Sequence, residues 1–157
     1  MINLRTMFLI LIACAGLHAQ CVPGGLAVVV PKANPTNGLS LAQLRKLVMG
    51  DVHTWPDKNK VTLVSTDSEG ALFRCLLTSV VRMTPAEFKK YVMSAEFRGD
   101  EPPHVKVVDS SATAVRTVAV SPGSISVVEA SSLATLGGLV KVISINGKQP
   151  GEPGYPL

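Results

Sequence analysis

The stretch that decides the fold is residues 25–50, GLAVVVPKANPTNGLSLAQLRKLVMG. Its first part, Leu26-Ala27-Val28-Val29-Val30, is a continuous apolar run rich in β-branched residues and ended by Pro31, the pattern of a strand covered on both faces. Asn34-Pro35-Thr36-Asn37-Gly38 then turns the chain. Ser40 is placed to cap a helix, and Gln43 three residues later completes a capping box. Leu41, Leu44, Leu47 and Val48 fall on one face of that helix, and Gly50 stops it. Strand, turn and amphipathic helix in this order are a unit of an α/β protein.

Working outward, the same alternation recurs. Residues 61–64 read as a second strand, followed by a helix from Thr66 to about residue 81 that carries Leu72, Cys75, Leu76 and Val80 at helical spacing. Thr84-Pro85-Ala86-Glu87 combines a capping residue, proline at the first helical position and a glutamate at the third, so a helix starts there and runs to about Ala95. Residues 105–108 make strand three. Ser110 or Ser111 opens a helix that ends before Pro122-Gly123, residues 125–128 make strand four, and 139–145 make strand five. Strands alternating with helices predict a mostly parallel sheet of about five strands with helices on both faces. From Asn146 the chain is rich in Gly and Pro and reads as an extended tail.

The chain has 157 residues and a formal net charge of +4 at pH 7. Residues 1–19 carry one cation, Arg5, ahead of an apolar run too short to span a bilayer, and end on Ala19, the layout of a cleavable signal peptide. A competing reading takes Leu11-Ile12-Ala13-Cys14 as a lipoprotein box, and only lipidation at Cys14 would tie the chain to a membrane. The expected division is a leader over 1–19, one domain over 20–145 and a tail over 146–157, placing the protein in the periplasm or outside the cell. Its basic residues are spread along the chain, with Lys89, Lys90 and Arg98 read as solvated surface, so nothing calls for nucleic acid. Cys21 and Cys75 would survive cleavage in a compartment that permits disulfides. The apolar setting of Cys75 favours a buried inert thiol over a disulfide partner. Trp55 reads as an anchor packing a loop. His53 and His104 lack partners at metal-ligand spacing, and no nucleophile motif or phosphate-cradling glycine loop is present; the expectation is no metal, no cofactor and no enzyme.

Several spaced features together resemble the phosphate-type substrate-binding proteins of bacterial ABC transporters, whose fold is the type 2 periplasmic binding protein. They run from the first strand through Asn34-Pro35, Leu39-Ser40, Leu44, Leu47, Gly50 and Trp55-Pro56-Asp57. They continue through Phe73, Thr84-Pro85, Phe97-Arg98-Gly99, Pro102-Pro103, Asp109-Ser110 and Pro122-Gly123-Ser124-Ile125, to Asn146-Gly147-Lys148 and Tyr155-Pro156-Leu157. The match is to one lobe. The resemblance implies a periplasmic solute-binding role, with phosphate or another small anion as ligand and an ABC transporter permease or a second copy of the chain as partner. It points to Ser65, Thr66, Asp67, Ser68, Glu69 and Gly70 as the ligand-binding loop.

Here the loop departs from the family. The family's Arg-Ser-Asp-Gly-Ser-Gly-Thr becomes Ser-Thr-Asp-Ser-Glu-Gly-Ala over residues 65–71. Asp67 and Gly70 match, whereas the arginine has become Ser65, the key serine Glu69 and the threonine Ala71. Thr66 and Glu69 have capping-box spacing, so the helix start can close on itself. A carboxylate about 6 Å away opposes an anion by roughly 1 kcal/mol at an effective dielectric constant of about 40. Weak anion binding is the expectation. The alternative is a non-enzymatic interaction module that binds a protein partner, or itself, and has lost its ligand.

Overall fold

The computed structural model describes Cys21, residues 25–66 and residues 70–157. The leader, its alternative lipoprotein box and Cys14 lie outside the described residues.

Strand β1 (Leu26–Val30) is buried along its whole length, as its composition requires. Successive side chains point to opposite faces of a strand. Leu26, Val28 and Val30 enter one apolar cluster, while Ala27 and Val29 enter a second on the other side. The first cluster is completed by helix α1 (Leu41–Met49), by α2 (Ala71–Leu76) with the π turn Leu77–Val81 that continues it, and by Phe88 of α3 (Pro85–Arg98). The second is completed by Ala114, Val115 and Val118 of α4 (Ser111–Val120). Helices cover both faces of the sheet, as the alternation of elements predicts.

The other strands are β2 (Gly38–Leu39), β3 (Thr62–Ser65), β4 (Val105–Val107), β5 (Ser124–Glu129), β6 (Lys141–Val142) and β7 (Ser144–Ile145). The main sheet has the order β4-β3-β5-β1-β6. β3 pairs parallel with β4 and with β5. β1 pairs antiparallel with both β5 and β6, so four of the five strands point one way and β1 alone is reversed. A run buried on both faces looks the same in either direction, which is why its sequence carries its burial but not its polarity.

Local sequence signals set most boundaries. Ser40 Oγ accepts from Gln43 N at 3.1 Å and Gln43 Oε1 accepts from Ser40 N at 2.8 Å, closing the expected capping box on α1, and Gly50 ends the helix at φ +78°. Thr84 and Glu87 close the second box at the start of α3. That helix runs one turn past the expected Ala95, to Arg98, because its buried stripe ends at Ala95 while the next helix breaker is Gly99 at φ +78°.

Four expectations are corrected. The helix expected from Thr66 begins at Ala71, with Gly70 as its cap and no side-chain cap bond. β3 ends at Ser65 and Gly70 is extended, at φ −65° and ψ 162°, so the helical conformation starts at Ala71; the capping-box partner Glu69 lies outside the described residues. Cys75 is not a free thiol: its sulfur is bonded to Cys21 at 2.07 Å, with the two Cα atoms 5.4 Å apart. Cys21 packs against the same apolar cluster as α2, and that proximity is tertiary. The strand expected over 139–145 is two strands separated by the buried Ile143; β6 joins the main sheet, while β7 pairs parallel with β2. Between β5 and β6 lie a 3-10 turn (Ala130–Ser132), α5 (Leu133–Leu136) and a second 3-10 turn (Gly137–Leu139). Finally, the segment after Asn146 is not extended. It folds back through turns and buries Tyr155 and Leu157 in the first cluster.

Candidate functional site

In open α/β sheets, ligands bind outside the carboxyl ends of the parallel strands. β4, β3 and β5 end side by side there, at Val107, Ser65 and Glu129. Val108 N donates to Ser65 O at 2.8 Å, tying the turn after β4 to the end of β3. Beneath it, the buried Ser126 hydroxyl donates to Val64 O at 2.7 Å. The sequence signal of this serine is a small polar residue in a strand run where an aliphatic one is expected.

The loop that leaves this edge is the one singled out from the sequence. Ser65 is buried, and Thr66 and Gly70 are half-buried. Asp67, Ser68 and Glu69 lie outside the described residues. Gly70 adopts φ −65° and ψ 162°, and its carbonyl accepts the first helical bond of α2 from Arg74 N at 2.9 Å. The backbone N–H groups of a first helical turn have no partners within the helix. In α2 no side-chain cap bond meets them at Gly70. The neighbouring helix differs: Ser110 Oγ accepts from Thr113 N at 3.1 Å, so the start of α4 is closed by its own cap.

The cavity beneath the loop is small. It measures ≈ 10 Å³ and is lined by Leu63, Val64, Leu72, Phe73, Leu76 and Val127 together with Ser65 and Thr66. That is room for about one water. An oxyanion does not fit within the cavity.

The remaining candidates are placed elsewhere. Trp55 is buried and its indole Nε1 donates to Gly123 O at 2.8 Å, anchoring the loop between α1 and β3 against the turn before β5. His104 Nε2 lies 3.0 Å from Glu101 Oε1. This hydrogen bond, then the charge of His53, hold the Glu101 carboxyl below its ordinary value. The group precedes β4, at the amino end of the parallel strands and away from Ser65. Among the described residues no three His, Cys, Asp or Glu side chains gather as metal ligands. Also among them, no helix is long and apolar enough to cross a membrane.

Neither protein-family models nor curated proteins matched the chain. Solved structures did. PstS from Borrelia burgdorferi superposes with a TM-score of 0.64 at 14% identity, over 80% of this chain and 49% of its own. An ABC-type phosphate transport receptor from Vibrio cholerae gives 0.62 at 18% identity, over 80% and 48%. A phosphate-binding protein from Stenotrophomonas maltophilia gives 0.58 at 15% identity, over 82% and 42%. This chain thus spans about half the length of the receptors it matches. It has the fold of one lobe of a phosphate ABC transporter substrate-binding protein.

Proposed function

We propose that the chain is an exported, non-enzymatic binding lobe that takes phosphate or a similar small oxyanion weakly, at the loop formed by Ser65, Thr66, Asp67, Ser68, Glu69 and Gly70. In this reading residues 1–19 direct export and are removed, residues 20–145 carry the binding domain, residues 146–157 close it, and an ABC transporter permease is the partner. The supporting observation is the position of the loop at the carboxyl end of central strand β3, leading into a helix that begins on Gly70 without a side-chain cap. First-turn backbone N–H groups, which have no partner within the helix, and the helix dipole favour an anion there. Affinity is low because Ser65 lacks the charge of the family's arginine, Glu69 sets a carboxylate where the family has serine, Ala71 lacks the hydroxyl of the family's threonine, and a buried anion needs more donors than one loop supplies.

Isothermal titration calorimetry of the purified chain with phosphate and sulfate tests this. A dissociation constant between about 100 µM and 10 mM is expected, weakened several-fold by Gly70→Pro, which keeps the φ of −65° that Gly70 already has but removes its backbone N–H from the loop. Absence of binding at tens of millimolar phosphate overturns the reading, as does a Gly70→Pro variant that folds and binds unchanged.

A further inference from the structure

The outer face of α3 has no role in the sheet and none in the anion loop. Its buried side is the line Phe88 and Ala95. At 100° per residue, Ala86, Met93 and Phe97 lie on the opposite side, facing outward. Phe97 is 94% exposed and Met93 59%. Together with Lys89, Lys90, Ser94 and Arg98 they border a shallow groove of ≈ 590 Å³. Contiguous exposed apolar patches rimmed by polar side chains mark interaction sites.

We propose that this face binds its counterpart on a second copy of the chain, in an antiparallel helix pair with a two-fold axis near Met93. The pattern of charge identifies the occupant. Lys89 and Glu96 lie on the same flank of the helix, about 20° apart around its axis and about 10 Å apart along it. That separation is too long for a salt bridge within one helix, and neither side chain has an ion-pair partner among the described residues. In an antiparallel pair, like flanks meet. When the axis falls between Val92 and Met93, Lys89 of each copy stands opposite Glu96 of the other. The same alignment carries Phe97 over the small side chain of Ala86 and the aliphatic stems of Lys89 and Lys90 on the second copy, which have room to receive it. Met93 meets its symmetry mate at the centre. The surface is complementary to itself, as an isologous interface must be. One helix face makes a small interface, so the dimer is weak and concentration-dependent. The proposal does not depend on anion binding at the loop after β3.

Sedimentation velocity of the purified chain from about 10 µM to 1 mM is the test. Reversible monomer–dimer exchange is expected within that range, and Phe97→Ala, at a position too exposed to affect folding, should raise the dissociation constant at least tenfold. Lys89→Glu and Glu96→Lys should each weaken the dimer, and the double variant should restore it, because each substitution places like charges opposite one another and the two together reverse the pair. An equimolar mixture of the two single variants should form heterodimers that neither forms alone. A chain that stays monomeric at 1 mM overturns the proposal. So does a dimer indifferent to Phe97→Ala, or one that the double charge reversal fails to restore.

Discussion

Replacing both Cys21 and Cys75 with alanine should lower stability by about 4 kcal/mol. The bond joins residues 54 apart in sequence, and in the chain-entropy model closing a loop of that length removes about 14 cal/mol/K from the unfolded ensemble, or about 4 kcal/mol at 25 °C. Cys21 is thereby held on α2, where it packs against the first apolar cluster. For a chain of this size each kcal/mol moves the melting temperature by about 3–4 °C, so the double variant should melt about 12 °C lower. Thermal unfolding followed by circular dichroism measures this. Wild-type protein under a phosphine reductant should fall to the temperature of the variant, and the variant should not respond to reductant. Alkylation of denatured, unreduced protein should leave Cys21 and Cys75 unmodified. Alkylation of both residues, or a double variant that melts within about 2 °C of wild type, would refute the reasoning.

Two further perturbations probe other parts of the fold. Gly123 sits at φ +79°, and a Cβ there would lie 2.1 Å from Lys60 O; Gly123→Ala should cost at least 2 kcal/mol from backbone strain and steric overlap, read as a lower denaturant midpoint with an unchanged slope. Burial pushes the Tyr155 phenol up to about 12. A group whose folded pKa is raised stabilises the fold fully below its unfolded value near 10, and that contribution, about 2 kcal/mol, is lost as pH rises from about 10 to 12. Tyr155→Phe should therefore flatten the stability profile across that interval and leave its acid side unchanged; a profile as steep as wild type would show that Tyr155 is not the group responsible.

Residues that act through local chemistry were legible. Ser40 with Gln43, Gly50, Thr84 with Glu87, and Ser110 fix helix ends by hydrogen bonds or backbone conformations spanning a few residues, and these four ends form where the sequence places them. The lobe-like order of strands and helices was legible too, because burial on both faces of Leu26–Val30 and on one face of α1 follows from periodicity alone. The sequence places the candidate loop after the second strand through Asp67 and Gly70, and β3 ends at Ser65, where that loop begins. The spacing of Thr66 and Glu69 is equally compatible with a capped helix and with a loop, and the extended Gly70 ahead of Ala71 is a feature that spacing does not contain.

What the sequence alone determined about this protein is therefore an alternating α/β chain with its caps and its buried stripes. Tertiary structure decided the rest: the reversed direction of β1, the break at Ile143 that sends β7 to β2, the return of Tyr155 and Leu157 to the core, and the bond between Cys21 and Cys75. Each depends on which distant segments become neighbours. That choice is made by the packing of the whole apolar surface at once, and no window of a few residues contains it.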